Sequence, residues 1–229
     1  MKKKQELFSK IAYYCFYIAV ITEVLIVLID KSNYTNPIEG RLFQITFLLF
    51  FIKVCLTRYT KREYLVIGLF LGLGLITDFV ADRNEMVRFV MFIAACKGID
   101  MKQCLKRVFW LTLAGSAVII LLSITGIYGE KALVMDYGRG GEEVRYTLGM
   151  GHPNALQCMV WALTTLGLYL YGDKCKWYHY VGALLVNIVF FLLAGSKTSM
   201  LMCAFTVFAF FVIPYLKKGR TAGKTCSAP

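Results

Sequence analysis

Long apolar runs separated by short polar segments cover most of this 229-residue chain. Several runs extend for about 16 to 20 residues with almost no charge, the length that a helix needs to cross ~30 Å of hydrocarbon. Lipid cannot satisfy open backbone groups, so each run is expected to be helical. The pattern predicts eight spans, at 11–29, 42–57, 64–80, 85–97, 108–126, 154–171, 178–194 and 199–216.

We therefore expect an all-α fold, a polytopic bundle of about eight transmembrane helices. Residues 1–229 are predicted to form a single integral membrane domain in which 218–229 is a disordered cytoplasmic tail. The Lys2-Lys3-Lys4 start resembles the beginning of a signal peptide. The apolar run after it is long and has no small-x-small cleavage site, so it is interpreted as the first span.

Composition and charge sharpen this picture. Hydrophobic residues make up 58% of the chain and the mean hydropathy is +0.61. The net charge is +12, but the basic residues fall in short clusters between spans, which is a topology signal and not a nucleic-acid footprint. With the N-terminus in the cytoplasm, roughly two-thirds of the Lys and Arg residues lie on inner segments. The eight cysteines include no CxxC pair, so neither a disulfide framework nor a zinc site is predicted.

A long polar segment, residues 128–154, separates spans five and six and becomes an extracytoplasmic loop in this topology. The turn at 195–199, between spans seven and eight, lies on the same outer side. The loop and the turn bracket spans six and seven, so we expect them to approach one another. Interhelical connections are usually shorter than this loop, and long ones are often functional.

Two arginines in the loop, Arg139 and Arg145, are candidate anion ligands. A guanidinium stays charged and binds phosphate through two parallel hydrogen bonds. At a membrane surface the expected anion is a lipid-linked diphosphate. The alternative is that both are ordinary loop charges, partly paired with Glu142 and Glu143, since exposed pairs are common and weak.

The loop ends in His152-Pro153-Asn154 at the start of span six. One interpretation is a helix start with Asn154 near the N-cap and Pro153 setting the turn. A cap does not require histidine, however, and imidazole is well suited to accept a proton near neutral pH. The helix N-terminus would also favour a bound phosphate.

The later turn, Gly195-Ser-Lys-Thr-Ser199, has two interpretations as well. It is either a tight polar turn whose Ser or Thr caps the next helix, or a turn that offers Lys197 as a second cation for the same anion. Within the spans, Glu23 and Arg88 would be costly in lipid and are expected to face the bundle interior.

These features together resemble the bacterial Wzy-type polysaccharide polymerases, relatives of the O-antigen ligases. The resemblance lies in an Arg before Leu-Gly-Met-Gly-His-Pro-Asn154, in the Gly195–Ser199 turn, and in the Ala95–Asp100 segment, which is similar to capsule and exopolysaccharide polymerases. It is specific over only about 25 residues, although the topology is similar over nearly the whole chain.

The resemblance implies a metal-independent glycosyltransferase of the bacterial cytoplasmic membrane, without a cofactor. It would polymerise polyprenyl-diphosphate-linked oligosaccharide repeat units on the outer face. His152 and Arg145 would be catalytic, and Arg139, Asn154 and Lys197 would bind substrate. The lipid bilayer, a flippase and a chain-length regulator are the expected partners, and nucleic acid is not.

The chain departs from the family pattern in two ways. Lys197 stands where many relatives place Arg, which loses the bidentate fork. Family members are usually longer and have a second basic outer loop, so the chain is either an active polymerase or a C-terminally truncated one that is inactive alone. Two alternatives stay open: an O-antigen-type ligase with the same chemistry, and a transporter or flippase for lipid-linked glycans. The transporter is disfavoured because no internal repeat is visible.

Overall fold

The computed structural model describes residues 2–136 and 141–225. They contain eight α-helices and one two-stranded hairpin. The apolar runs predicted as spans correspond to these helices within a few residues at most boundaries. The helices are α1 (Lys2–Asp30), α2 (Glu39–Cys55), α3 (Lys61–Ala81), α4 (Glu85–Ala95), α5 (Met101–Ile124), α6 (Pro153–Tyr171), α7 (Trp177–Ala194) and α8 (Lys197–Thr225).

Five of the described helices are long and apolar enough to cross a membrane, by length and composition. They are α1, α3, α5, α6 (together with the 3₁₀ turn Gly172–Lys174) and α7. The other three are shorter in their apolar part. The 11 residues of α4 rise only ~16 Å, so the structure supports a membrane protein but does not establish eight spans.

The predicted all-α fold needs one addition. Within the polar loop, β1 (Ala132–Asp136) pairs antiparallel with β2 (Glu142–Tyr146), with Val134 opposite Val144. The hairpin satisfies the backbone groups of this polar segment through interstrand hydrogen bonds. At the other end of the chain, α8 continues through Thr225, into the segment predicted as a disordered tail.

Two compact units divide the chain by their internal contacts. The first comprises residues up to Val27 together with Asn36–Val108, and the second comprises Leu28–Thr35 together with Phe109 onwards. In the first unit, α4 packs against α2 and α3. Its core contains mainly Phe16, Tyr17, Ala19, Val20, Phe50, Met91, Ala95 and Cys104.

A polar cluster lies inside the first unit, where the sequence places two charges within apolar runs. Arg88 Nη2 on α4 is 3.3 Å from Glu23 Oε2 on α1, and both side chains are about three-quarters buried. Thr46 donates its hydroxyl to Glu23 Oε1 at 2.5 Å, and the Arg88 guanidinium lies 3.5 Å from the ring centre of Phe43. The expectation that Glu23 and Arg88 face the interior is confirmed.

In the second unit, α6, α7 and α8 pack against one another. A buried amide pair joins α6 to α7. Gln157 Nε2 donates to the Asn187 carbonyl at 3.3 Å, and Asn187 Nδ2 donates to Thr164 Oγ1 at 2.8 Å. Such interhelical hydrogen bonds fix helix pairs where lipid supplies no hydrophobic driving force.

The Glu23–Arg88 pair generates a stability prediction. Glu23→Gln leaves the partly buried guanidinium without its carboxylate, and we expect the free energy of unfolding to fall by about 1–3 kcal/mol. Glu6→Gln, an exposed change on the same helix, is the matched control and should have little effect. Thermal unfolding of the purified protein in detergent measures both. Equal unfolding temperatures for the two variants would contradict an energetically important pair.

Candidate functional site

The hairpin presents Arg145 to the helices because side chains alternate along a strand. Arg145 on β2 is only 5% exposed, whereas its neighbours Val144 and Tyr146 are exposed. Val144 lies opposite Val134, which is also exposed, and Arg145 lies opposite Leu133. One face of the ribbon is therefore turned outward and the other carries the guanidinium inward.

Glu143 and Gly195 both contact the Arg145 side chain. Its Nε and Nη2 donate to Glu143 Oε2 at 3.0 and 2.5 Å. On the other side, the guanidinium packs against Gly195, where an added Cβ would lie 3.1 Å from Arg145 Nε. The expected approach of the loop and the 195–199 turn is thus confirmed. The pairing with Glu143 matches the structural alternative considered for this arginine.

The segment after β2 is held by backbone hydrogen bonds. Thr147 N–H donates to the Lys131 carbonyl at 3.0 Å, and Gly149 N–H donates to the Glu130 carbonyl at 2.9 Å. The Thr147 hydroxyl also donates to Glu130, at 2.7 Å, and Thr147 and Met150 are fully buried. This polar loop is therefore anchored where it meets α6.

His152 is the N-cap of α6, with Pro153 as the first helical residue. The Asn154 N–H donates to His152 Nδ1 at 3.1 Å. The cap is thus His152 itself and not Asn154, which lies in the first turn and is exposed. Because Nδ1 accepts this bond, the proton of the neutral ring belongs on Nε2. In this conformation Nε2 is a hydrogen-bond donor.

The start of α8 lies beside the first turns of α6. Ser199 Oγ is 3.2 Å from Cys158 Sγ and accepts a hydrogen bond from Ser196 Oγ at 3.0 Å. Both serines are 6% exposed, whereas Lys197 is exposed. Lys197 is the first residue of α8.

The electrostatics of this region favour an anion. The N-termini of α6 and α8 lie close together, and each carries the positive end of a helix dipole. Lys197 adds a full charge at one of them. Glu143 offsets the charge of Arg145. Arg145 therefore adds little to the positive potential at the two helix starts, although it lies beside them. Lys197, Asn154 and His152 are exposed at these two helix starts.

The structure brings together most of the residues expected from the sequence. Arg145 contacts the turn that carries Lys197, and His152 and Asn154 begin the helix beside it. Arg139 lies outside the described residues. Sequence reasoning did not assign roles to Ser199 and Cys158. The burial of Arg145 depends on its tertiary contact with Gly195 and was not expected from the sequence.

A metal site would need a cluster of ligating side chains, and residues 2–136 and 141–225 contain none. No group of three His, Cys, Asp or Glu side chains there is placed to hold an ion. Comparison with protein-family models, curated proteins and solved structures finds no match for this chain. The function is therefore argued from the geometry of this site.

The contact between Arg145 and Gly195 can be tested by adding one methyl group. Gly195 has a φ of +66°, and an added Cβ would lie 3.1 Å from Arg145 Nε, closer than an ordinary contact. Gly195→Ala should therefore destabilise the protein by about 1–2 kcal/mol. Gly182 on α7 has open space around its α-carbon. Gly182→Ala is therefore expected to be neutral or slightly stabilising. If thermal unfolding gives the same result for both alanine variants, the packing of Arg145 on the turn is wrong.

Proposed function

We propose that this chain is a membrane-embedded glycosyltransferase that polymerises polyprenyl-diphosphate-linked oligosaccharide repeat units. The observation that carries the proposal is the proximity of the starts of α6 and α8, which meet at the Cys158–Ser199 contact. His152 and Lys197 are exposed at these two helix starts, and Arg145 packs on the turn before α8. We place the site on the outer face of the bacterial cytoplasmic membrane, with the N-terminus cytoplasmic, on the charge distribution of the sequence.

A lipid diphosphate fits the chemistry of this site. As the bond from the anomeric carbon to the diphosphate breaks, negative charge grows on the leaving group. Preorganised cations and helix N-termini stabilise that charge and need little rearrangement to do so. In this proposal Lys197 and the first turns of α6 and α8 contact the diphosphate. Arg145 holds the turn that presents Lys197.

His152 is proposed to contact the reacting oxygens through Nε2. In the capped conformation that nitrogen donates a hydrogen bond, to a phosphate oxygen or to the acceptor sugar. The proton-acceptor role expected from the sequence requires the ring to release Asn154 N–H or to change tautomer first, because Nδ1 is engaged. Either role depends on Nε2, whereas helix capping depends on Nδ1.

An apolar cavity lies next to this site within the second unit. Its volume is about 230 Å³, and its lining includes Met150 from the anchored loop and Leu113, Met159 and Phe190 from α5, α6 and α7. We propose that the polyprenyl chain follows this apolar surface into the bilayer. The diphosphate would then be positioned at the membrane surface, beside the helix starts.

The proposal predicts that the two ring nitrogens of His152 have different roles: Nδ1 caps α6, and Nε2 is needed for polymerisation. His152→Asn keeps a side-chain acceptor for the cap but removes Nε2, and it should lower polymerisation about a hundredfold or more. Lys197→Gln should lower it about tenfold or more through lost stabilisation of the leaving group. The assay is the formation of a polymer ladder from lipid-linked repeat units by protein in liposomes. Unfolding temperatures of the variants establish that the fold is intact.

Lys174→Gln is the matched control, since Lys174 is an exposed lysine of the same unit outside the site. It should give a normal ladder. Normal ladders from His152→Asn and Lys197→Gln would remove this site from the mechanism. Transfer of a single glycan to a different acceptor, with no ladder, would contradict the polymerase and identify a ligase. Movement of repeat units across the bilayer, with no transfer product, would identify a transporter.

A further inference from the structure

A second site lies in the first unit, where a cleft of about 480 Å³ runs between the start of α3 and the end of α4. Of the sequence features discussed above, the Ala95–Asp100 segment borders this cleft, through Cys96 and Lys97. One wall is apolar and is formed by Val66, Ile67 and Ile93. The rim is polar and includes Arg62, Glu63 and Lys97, with Tyr59 beside them. The cleft is therefore amphipathic along its length.

Contacts within the unit neutralise one of the rim cations. Lys97 Nζ lies 2.5 Å from Glu63 Oε2 and 4.8 Å from the ring centre of Tyr59. Glu63 also accepts the Thr60 N–H at 2.6 Å, which completes the capping box at the start of α3. Lys97 and Glu63 are thus largely engaged with each other and with their neighbours.

Arg62 is different. It lines the cleft and is exposed, and no hydrogen bond or ion pair to another described residue engages its guanidinium. With Lys97 offset by Glu63, the rim carries one net positive charge. A guanidinium binds a phosphate group through parallel hydrogen bonds and remains charged at any physiological pH. Arg62 is also in the first turn of α3, where the helix dipole favours an anion.

The apolar wall begins next to Arg62 and continues along α3, away from the start of the helix. Val66 lies one helical turn after Arg62 on α3, and α3 is one of the five helices long enough to cross a membrane. Val66 and Ile93 are exposed in the structure, Ile93 by 67%. An acyl chain laid against them would cover apolar surface while its headgroup reached Arg62.

We propose that this cleft binds one anionic phospholipid, with its phosphate group on Arg62 and an acyl chain against Val66, Ile67 and Ile93. One net positive charge on the rim complements one negative phosphodiester. The cleft lining otherwise consists mainly of apolar residues, which a small free anion would not use. Basic pockets between helices at a membrane surface are a recognised way to bind acidic headgroups. This proposal does not depend on the proposed glycosyltransferase activity.

The test compares two neighbouring charges. The protein in detergent is incubated with equal amounts of phosphatidylglycerol and phosphatidylcholine, and native mass spectrometry measures the ratio of bound lipids. The wild type is expected to retain phosphatidylglycerol preferentially. Arg62→Gln should lower that preference about fivefold, because it removes the charge-assisted hydrogen bonds from the guanidinium to the phosphate group. Lys61→Gln, which removes an equal charge one residue away but outside the cleft lining, should leave it unchanged.

A second variant tests the apolar wall. Ile93→Trp fills the cleft without changing any charge and should reduce the amount of phosphatidylglycerol retained. The proposal is overturned if the wild type shows no preference, if Lys61→Gln acts as strongly as Arg62→Gln, or if Ile93→Trp binds as the wild type does. All three positions are exposed, and unchanged unfolding temperatures confirm that the variants are folded.

Discussion

The backbone of residues 147–151 lies packed between two other segments of the second unit, and the candidate site depends on this arrangement. Gly149 N–H donates to Glu130, and Gly151 N–H donates to the Lys31 carbonyl at 2.8 Å. Gly149 has a φ of +82°, and a Cβ added at Gly129 would lie 2.9 Å from its α-carbon. Only glycine permits so close an approach. The anchored segment determines where α6 begins and where Arg145 can reach.

Part of this arrangement could be predicted from the sequence. Apolar runs define helices in a membrane protein because every backbone group must be satisfied within the segment, and all eight predicted runs contain a helix. The approach of the loop to the Gly195 turn followed from topology. The hairpin was not predicted, since Val144-Arg145-Tyr146 alternates over too few residues to stand out within a polar loop. The burial of Arg145 depends on tertiary contacts with Gly195, which no local pattern encodes.

The structure also changes the roles assigned to the candidate residues. From the sequence, Arg145 is an anion ligand, but its guanidinium is buried and held by Glu143. The exposed positive groups are Lys197 and the starts of α6 and α8. His152 caps α6 through Nδ1. The site that we propose is therefore an anion-binding surface on the N-termini of α6 and α8, beside the ion pair between Arg145 and Glu143.

The most direct test is to locate the bound substrate. A polyprenyl diphosphate carrying a photoreactive group next to the diphosphate would be bound to the protein in liposomes, irradiated, and mapped by peptide mass spectrometry. We predict cross-links in the segments around His152 at the start of α6 and around Lys197 at the start of α8, suppressed by excess unlabelled polyprenyl diphosphate. Cross-links confined to other segments, or no suppressible cross-link, would contradict the proposed site.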